Sequence, residues 1–253
     1  MLNGMAGQPG ALVSAVAEQK TTPVASPLAY RTSHLLMASA LRAMFRFEVS
    51  GRSNVPRGSS YIVVANHLNW LDAFALLLAL PKEPQLQLVG WDTIFDSPRL
   101  ARLIRTTRVG FIPIHRDRIK RSLRRPETGR TLQQSLNSGF PVVLFPEGQV
   151  GCDEGVVMPF RPGFARLARV TGMPILPVAL SGTRNLWLRK KILVAIGSPI
   201  DPRGMELRTL VERTHKAMVG VMPEHRAFRG LKLFERRLTR LIPSLTNWTA
   251  ADL

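Results

Sequence analysis

Tyr61–Ala65 is an uninterrupted apolar run; Asn66 ends it, and a second apolar stretch, Leu71–Leu80, begins a few residues later. The first stretch reads as a buried strand and the second as the start of a helix. A strand that gives way to a helix this abruptly is the building unit of an α/β fold. Side chains at the junction, here His67 and Asp72, stand where such folds carry their chemistry. A second junction lies further along: Pro141-Val-Val-Leu-Phe-Pro-Glu-Gly148 is again an apolar strand that ends in a charged turn containing Gly. These two strand ends are expected to meet in one site.

The rest of the chain repeats the pattern. Phe47–Gly51, Gln85–Gly90, Gly110–Ile114, Ile175–Leu180 and Leu193–Ile196 read as strands, and Arg99–Arg105, Thr131–Ser138, Pro162–Thr171 and Glu206–Met222 as helices. Gly139 and Gly172 suit the left-handed residue that closes many helices. The alternation predicts an α/β fold, a mixed and largely parallel sheet of about seven strands wrapped by helices. Ahead of it, Leu35, Leu36, Ala38, Leu41, Met44 and Phe45 recur at helical spacing within 29–47, with Arg31, Arg42 and Arg46 mostly on other faces. This N-terminal amphipathic helix either faces the core or lies on a membrane surface. A closing helix is expected over Phe228–Ile242, with Leu231, Phe234, Leu238 and Leu241 on one face and Arg229, Lys232, Arg236, Arg237 and Arg240 around the rest. Residues 1–28, rich in Ala, Gly, Pro, Ser and Thr, read as a disordered leader, and 29–253 as one domain.

Charge narrows the partners. The chain carries 35 Lys and Arg against 17 Asp and Glu, a formal net charge of +18. Such a balance points to a nucleic acid, an anionic membrane, or an acidic carrier or substrate. Nucleic acid is disfavoured. The basic clusters at 118–125 and 229–240 hold only Phe234, on the apolar stripe, and so lack the aromatic platforms on which bases stack. The single cysteine, Cys152, excludes an internal disulfide and a thiolate-based structural zinc site. Asp153 and Glu154 beside it work against a reactive thiolate. No apolar run reaches the roughly 18 residues of a spanning helix, so peripheral attachment is the membrane mode left open. The first residues lack a basic segment followed by an apolar core, and no secretory signal is expected.

Imidazole is the side chain whose charge changes between pH 5 and 8, so His67 can take a proton from a hydroxyl. A carboxylate on its other ring nitrogen, as Asp72 could supply, would fix the tautomer and stabilise the imidazolium. A structural His beside an Asp in a helix's first turn has the same spacing. Glu147 on a Pro-Gly turn can hydrogen-bond substrate hydroxyls. Arg116, at the end of the strand in Arg108-Val-Gly-Phe-Ile-Pro-Ile-His-Arg116, can bind a phosphate as a two-pronged fork.

Together these segments resemble the glycerolipid acyltransferase family, which includes the 1-acylglycerol-3-phosphate acyltransferases. Asn66-His67-x4-Asp72 is similar to the family's first motif, Gly110-Phe-Ile-Pro-Ile-His-Arg116 to its second, Phe145-Pro-Glu-Gly148 to its third and Ile175-Leu-Pro-Val178 to its fourth. The resemblance covers residues 45–200. It implies that His67 is the general base, oriented by Asp72, for attack of an acceptor hydroxyl on the thioester of acyl-CoA or an acyl carrier protein. It implies that Asn66, Arg116, Glu147 and Gly148 hold the acceptor's polar head. No metal, no acyl-enzyme and no cofactor beyond the acyl donor are implied. The expected protein is membrane-associated, on the cytoplasmic face, against an anionic membrane surface.

Two features depart from the family's pattern. After Glu147 the family continues Gly-Thr-Arg or Gly-Thr-Thr, whereas this chain continues Gly148-Gln-Val-Gly-Cys-Asp-Glu154; the second motif carries Pro113-Ile-His115 before its Arg. Arg161, in Phe160-Arg-Pro-Gly163, is the candidate for the missing positive charge. The acceptor implied is 1-acylglycerol-3-phosphate, with another lyso-lipid, such as a lyso-ornithine lipid, as the alternative.

Overall fold

The computed structural model describes residues 28–114, 126–151, 153–224 and 230–241. Seven strands form one sheet: β1 (Arg46–Ser50), β2 (Ile62–Ala65), β3 (Gln87–Trp91), β4 (Gly110–Ile114), β5 (Val142–Leu144), β6 (Ile175–Ser181) and β7 (Lys191–Ile196). Their spatial order is β1-β7-β6-β2-β5-β3-β4. All neighbours run parallel except β6 and β7, which are antiparallel. The expected mixed, largely parallel α/β sheet is therefore present.

The apolar run that opens the chain's pattern takes the central place. All four residues of β2 are fully buried, because β5 and β6 flank it and helices cover both faces. Val63 and Ala65 point to one face, where they pack with α1 (Leu28–Met44) and α2 (Leu71–Ala79). Ile62 and Val64 point to the other, against α4 (Pro126–Asn137), α5 (Gly163–Thr171) and α6 (Leu207–Val221). The short helix α3 (Pro98–Thr107) lies beside α1. Burying each Val, Leu or Ile side chain contributes about 1.5–3 kcal/mol, so these two layers supply much of the driving force for folding. β1 is an edge strand. Its Arg46, Glu48 and Ser50 face water while Phe47 and Val49 pack on the core, the alternation that a half-covered strand requires.

α1 settles which of its residues face the core. Tyr30, Ala38, Leu41 and Phe45 are buried, and His34 Nε2 meets the Leu77 carbonyl at 2.8 Å. Leu35 and Leu36, which the periodicity counted on the same stripe, lie outward. α4 starts at Pro126 rather than Thr131. Proline is well placed in a helix's first turn, and Gly129 had hidden the helical pattern there. The closing helix is also shorter than expected. Among the described residues only α7 (Glu235–Thr239) is helical, preceded by Phe234 in the left-handed region at φ 60°. Leu231 is 82% exposed and Phe234 56%, whereas Leu238 packs on the core, so among the described residues only part of the apolar spacing that suggested a long helix meets a core. Tertiary hydrogen bonds fix the segment instead: Leu188 N–H donates to the Leu233 carbonyl at 3.0 Å and Leu186 N–H to Thr239 Oγ1 at 2.8 Å.

The two faces of α1 make opposite predictions. Leu41→Ala, at a side chain 7% exposed, should cost about 2–4 kcal/mol of unfolding free energy through the cavity it leaves. Leu36→Ala, at 72% exposed, should change stability by no more than about 0.5 kcal/mol. Urea unfolding of both variants checks this, and equal losses would mean the helix is packed differently.

Candidate active site

The loops that leave the carboxyl ends of β2, β5 and β6 converge, and His67 lies among them. The turn from Asn66 to Trp70 is built around Asp72, whose side chain is completely buried in the first turn of α2. One oxygen, Oδ2, accepts from the Leu68 N–H at 2.5 Å and the Asn69 N–H at 2.7 Å, and lies 2.7 Å from His67 Nδ1. The carboxylate thus replaces water with three directed donors, and these also bend the chain back over the helix start. With Nδ1 engaged, Nε2 is the ring nitrogen turned away from Asp72. No described residue hydrogen-bonds it.

The loop after β5 grips His67 from the other side. Its N–H donates to Glu147 Oε2 at 3.1 Å and its carbonyl accepts from Gly151 N–H at 2.7 Å. The Phe145 ring stacks on the imidazole, with centroids 4.4 Å apart and planes 22° from parallel. A Cβ at Gly151 would lie 3.3 Å from the His67 carbonyl and 3.2 Å from Leu68 Cδ2, so the absence of a side chain is what allows this close approach.

Two residues expected at the acceptor are occupied by the fold. Asn66 is buried, and both ends of its side chain bind β6: Nδ2 donates to the Leu180 carbonyl at 3.0 Å and Oδ1 accepts from the Leu180 N–H at 2.7 Å. It continues the β2–β6 pairing past the end of the strand. Glu147 is also buried, and its second oxygen, Oε1, accepts from Met158 N–H at 3.0 Å. It bridges the His67 turn to the segment before α5, with both oxygens committed to backbone. Burial pushes its carboxyl above the ordinary value, and the two amide bonds partly oppose that.

Gly148 and Arg161 do come together. Gly148 has φ +71°, and a Cβ there would lie 2.7 Å from Arg161 Nε, so the guanidinium lies directly over the glycine. Arg161 N–H donates to the Pro146 carbonyl at 2.9 Å, which ties the start of α5 to the turn. The side chain is exposed, and no described carboxylate pairs with it. Arg116, the basic cluster at 118–125 and Cys152 lie outside the described residues.

A central buried strand ending in Asn-His, an aspartate five positions on, a Phe-Pro-Glu-Gly turn against the histidine and a parallel sheet around them form a specific combination. The sequence profile of the family described as Acyltransferase matches residues 46–181, more than half the chain. The chain belongs to the Acyltransferase family. Among its relatives is an uncharacterised protein of Mycobacterium tuberculosis, 28% identical over 170 residues, 60% of this chain and 42% of that protein. The 1-acyl-sn-glycerol-3-phosphate acyltransferase of Cocos nucifera is 26% identical over 64% of this chain and 54% of its own. The human 1-acyl-sn-glycerol-3-phosphate acyltransferase beta is 26% identical over 68% and 63%. The chain spans less than two thirds of each of these relatives. The crystal structure of the 1-acyl-sn-glycerophosphate (LPA) acyltransferase PlsC from Thermotoga maritima superposes with TM-score 0.60 at 25% identity, over 76% of this chain and 78% of that one.

In this member of the Acyltransferase family the sequence reading missed three side chains that build the site. Phe145 was quoted for its motif but not for its stacking. Asn69 was passed over between His67 and Asp72, although Asn before a helix is a turn signal. Its Nδ2 donates to the Arg184 carbonyl at 2.7 Å, joining the His67 turn to the loop after β6. Glu154 accepts from Gly182 N–H at 2.7 Å and Arg184 N–H at 3.1 Å, contacts between distant segments that spacing alone does not reveal.

Glu147 has a raised carboxyl value, so it favours folding below its unfolded value of about 4.3, and that contribution fades as pH rises through the folded value. Glu147→Gln removes this titration. The stability difference, wild type minus variant, should therefore fall as pH is raised from about 4 toward neutrality, as read by urea unfolding at each pH. A difference that grows over this interval would contradict the assigned direction.

Proposed function

We propose that this chain is an O-acyltransferase that moves a fatty acyl group from a thioester, acyl-CoA or an acylated carrier protein, to the hydroxyl of a lysophospholipid. The acceptor favoured is 1-acylglycerol-3-phosphate, which would become phosphatidate. One observation carries the reading: His67 is fixed at the mouth of the central strand by Asp72 on Nδ1 and Phe145 on its face, with Nε2 turned away from both. Nε2 takes the acceptor's proton as its oxygen attacks the thioester carbon. Asp72 stabilises the imidazolium that forms. The tetrahedral intermediate collapses with cleavage of the C–S bond, and the departing thiolate receives the proton from the imidazolium. The products are the new ester and a free thiol, with no acyl-enzyme.

Arg161 over Gly148 is suited to the acceptor's phosphate: a guanidinium offers several donors in a planar fork, and this one is exposed beside the His67 turn. Arg116 shares this role in the reading. The names of the plant and human relatives support the choice of acceptor. Attachment to an anionic membrane surface is proposed on two apolar surfaces edged by cations. On α1, exposed Leu28, Leu35 and Leu36 lie near Arg31 and Arg42; on the C-terminal segment, exposed Leu231 and Phe234 lie near Arg236, Arg237 and Arg240. No helix among the described residues is long and apolar enough to cross a membrane.

The test is steady-state transfer by purified protein offered 1-acylglycerol-3-phosphate and an acyl-CoA. His67→Ala should lower kcat by about 10²–10⁴ while melting near wild type, since no other base among the described residues is placed to take the proton. Full activity in that variant would end the reading. Arg161→Ala should raise the KM for the phosphate-bearing acceptor about 10-fold, the cost of a hydrogen bond to a charged group, and leave the KM for acyl-CoA nearly unchanged. Unchanged acceptor KM would move the phosphate away from Arg161.

A further inference from the structure

The acyl-transfer mechanism leaves one nearly buried ion pair unused. Glu154 is 9% exposed and Lys190 5%, with Lys190 Nζ 3.4 Å from Glu154 Oε1. Lys190 Nζ also donates to the Asn185 carbonyl at 2.7 Å and stands 4.2 Å over the Trp187 ring. Burial pushes the Lys190 ammonium below its ordinary value, and Glu154 pulls it back up. A pair desolvated to this degree stabilises folding poorly compared with apolar side chains of the same size, so its presence calls for another explanation.

The remaining contacts of Glu154 supply one. Its two oxygens accept from the N–H groups of Gly182 and Arg184, on the loop that follows β6. Gly182 has φ +89°, and a Cβ there would come within 2.4 Å of the Lys191 carbonyl, so the loop is folded tightly back onto the start of β7. The Arg184 peptide is held from both sides: its N–H by Glu154, and its carbonyl by Asn69 Nδ2. The Asn69 N–H in turn donates to the Asp72 oxygen that meets His67. A continuous path of hydrogen bonds therefore runs from Lys190 through Glu154, Arg184 and Asn69 to the Asp72–His67 pair.

We propose that Glu154, paired with Lys190, is a positioning residue for acyl transfer, fixing the Arg184 peptide so that Asn69 and Asp72 keep the His67 ring aimed. The role rests on the reading of His67 as the general base. Glu154 touches no reacting atom. It acts by holding three loops, those after β2, β5 and β6, in one register. A carboxylate is required because two N–H donors converge on it, and an amide offers them only one acceptor oxygen.

The test compares Glu154→Gln, Lys190→Met and the double variant, in the full chain, by thermal unfolding and by transfer from acyl-CoA to 1-acylglycerol-3-phosphate. Each single variant leaves a buried charge without its partner and should lower Tm. The double variant carries neither charge and should recover most of the Tm. Its kcat should stay about 10-fold below wild type, with both KM values within about twofold, because small misplacement of a base costs rate rather than binding. Combining Glu154→Gln with Asn69→Ala should cost less than the product of the separate losses, since both act through the same peptide. Recovery of kcat together with Tm in the double variant, or independent losses for Glu154 and Asn69, would overturn the proposal and leave a merely structural pair. A readout independent of turnover separates this failure from failure of the function itself. In protein labelled with 15N-histidine, the proton on His67 Nδ1 should be sharp in wild type and broadened in the double variant, whichever acceptor is used. An unchanged signal would likewise overturn the role.

Discussion

A single oxygen of Asp72 with three donors around it is the constraint on which the site depends. A fully buried carboxylate costs several kcal/mol unless its lone pairs are satisfied. Here two consecutive amides and an imidazole, all within five positions of the aspartate, satisfy Oδ2, while Oδ1 is buried without a hydrogen-bond partner among the described residues. The same contacts therefore close the turn, start α2 and orient His67. None of these can be altered alone. A longer turn would lose the amides, and a differently placed histidine would leave the carboxylate short of a donor.

That turn could not hold its shape at the end of an isolated strand. β2 is central, so its carboxyl end is flanked by those of β5 and β6, and each neighbour contributes a clamp. The β5 side takes both the N–H and the carbonyl of His67, through Glu147 and Gly151. The β6 side takes Asn66 through Leu180 and Asn69 through Arg184. Parallel neighbours bring three loops to the same edge, the crevice where open α/β sheets place their ligands. The antiparallel return of β7 keeps the loop after β6 short and pinned beside that edge, which a long parallel crossover would not do.

Much of this was legible in the chain because apolar patterning reports burial directly. The strands, the seven-stranded α/β sheet and the family itself followed from runs such as Tyr61–Ala65 and from four spaced motifs. Two misreadings have a common physical origin. The Leu231–Leu241 spacing matched a helix, yet spacing cannot say whether a core exists to receive the apolar face. Leu35 and Leu36 were counted with the buried side of α1 because a helical stripe is wider than the surface that covers it. The acceptor role expected of Asn66 and Glu147 rests on a polar residue at a strand end looking available, and in the structure both side chains bond backbone. Whether such a residue's atoms are already committed to backbone depends on segments 80 or more residues away, such as those carrying Leu180 and Glu147's own partner His67. Sequence shows which groups are polar, and only the fold shows which remain unspent.

The distribution of unspent groups bears on what the site can hold. Two acids contact His67 and a third is linked to it through Arg184 and Asn69, and each bonds inward: Asp72 into the turn, Glu147 into His67 and Met158, Glu154 into Gly182, Arg184 and Lys190. Their hydrogen bonds go to amides, the His67 ring and Lys190 rather than to the solvent side of the site. The cations are arranged the other way, with Arg161 exposed over Gly148 and further arginines on the C-terminal segment. In a chain with a net charge of +18, the exposed Arg161 is the charged side chain beside the His67 turn that is turned outward, while the carboxylates there are turned inward. Under the proposed function, cations so placed would favour an anionic acceptor on arrival and also the oxyanion and thiolate that form as a thioester is cleaved. On that reading, the surface that would attract a phosphate-bearing lipid would also lower the barrier to transferring an acyl group onto it.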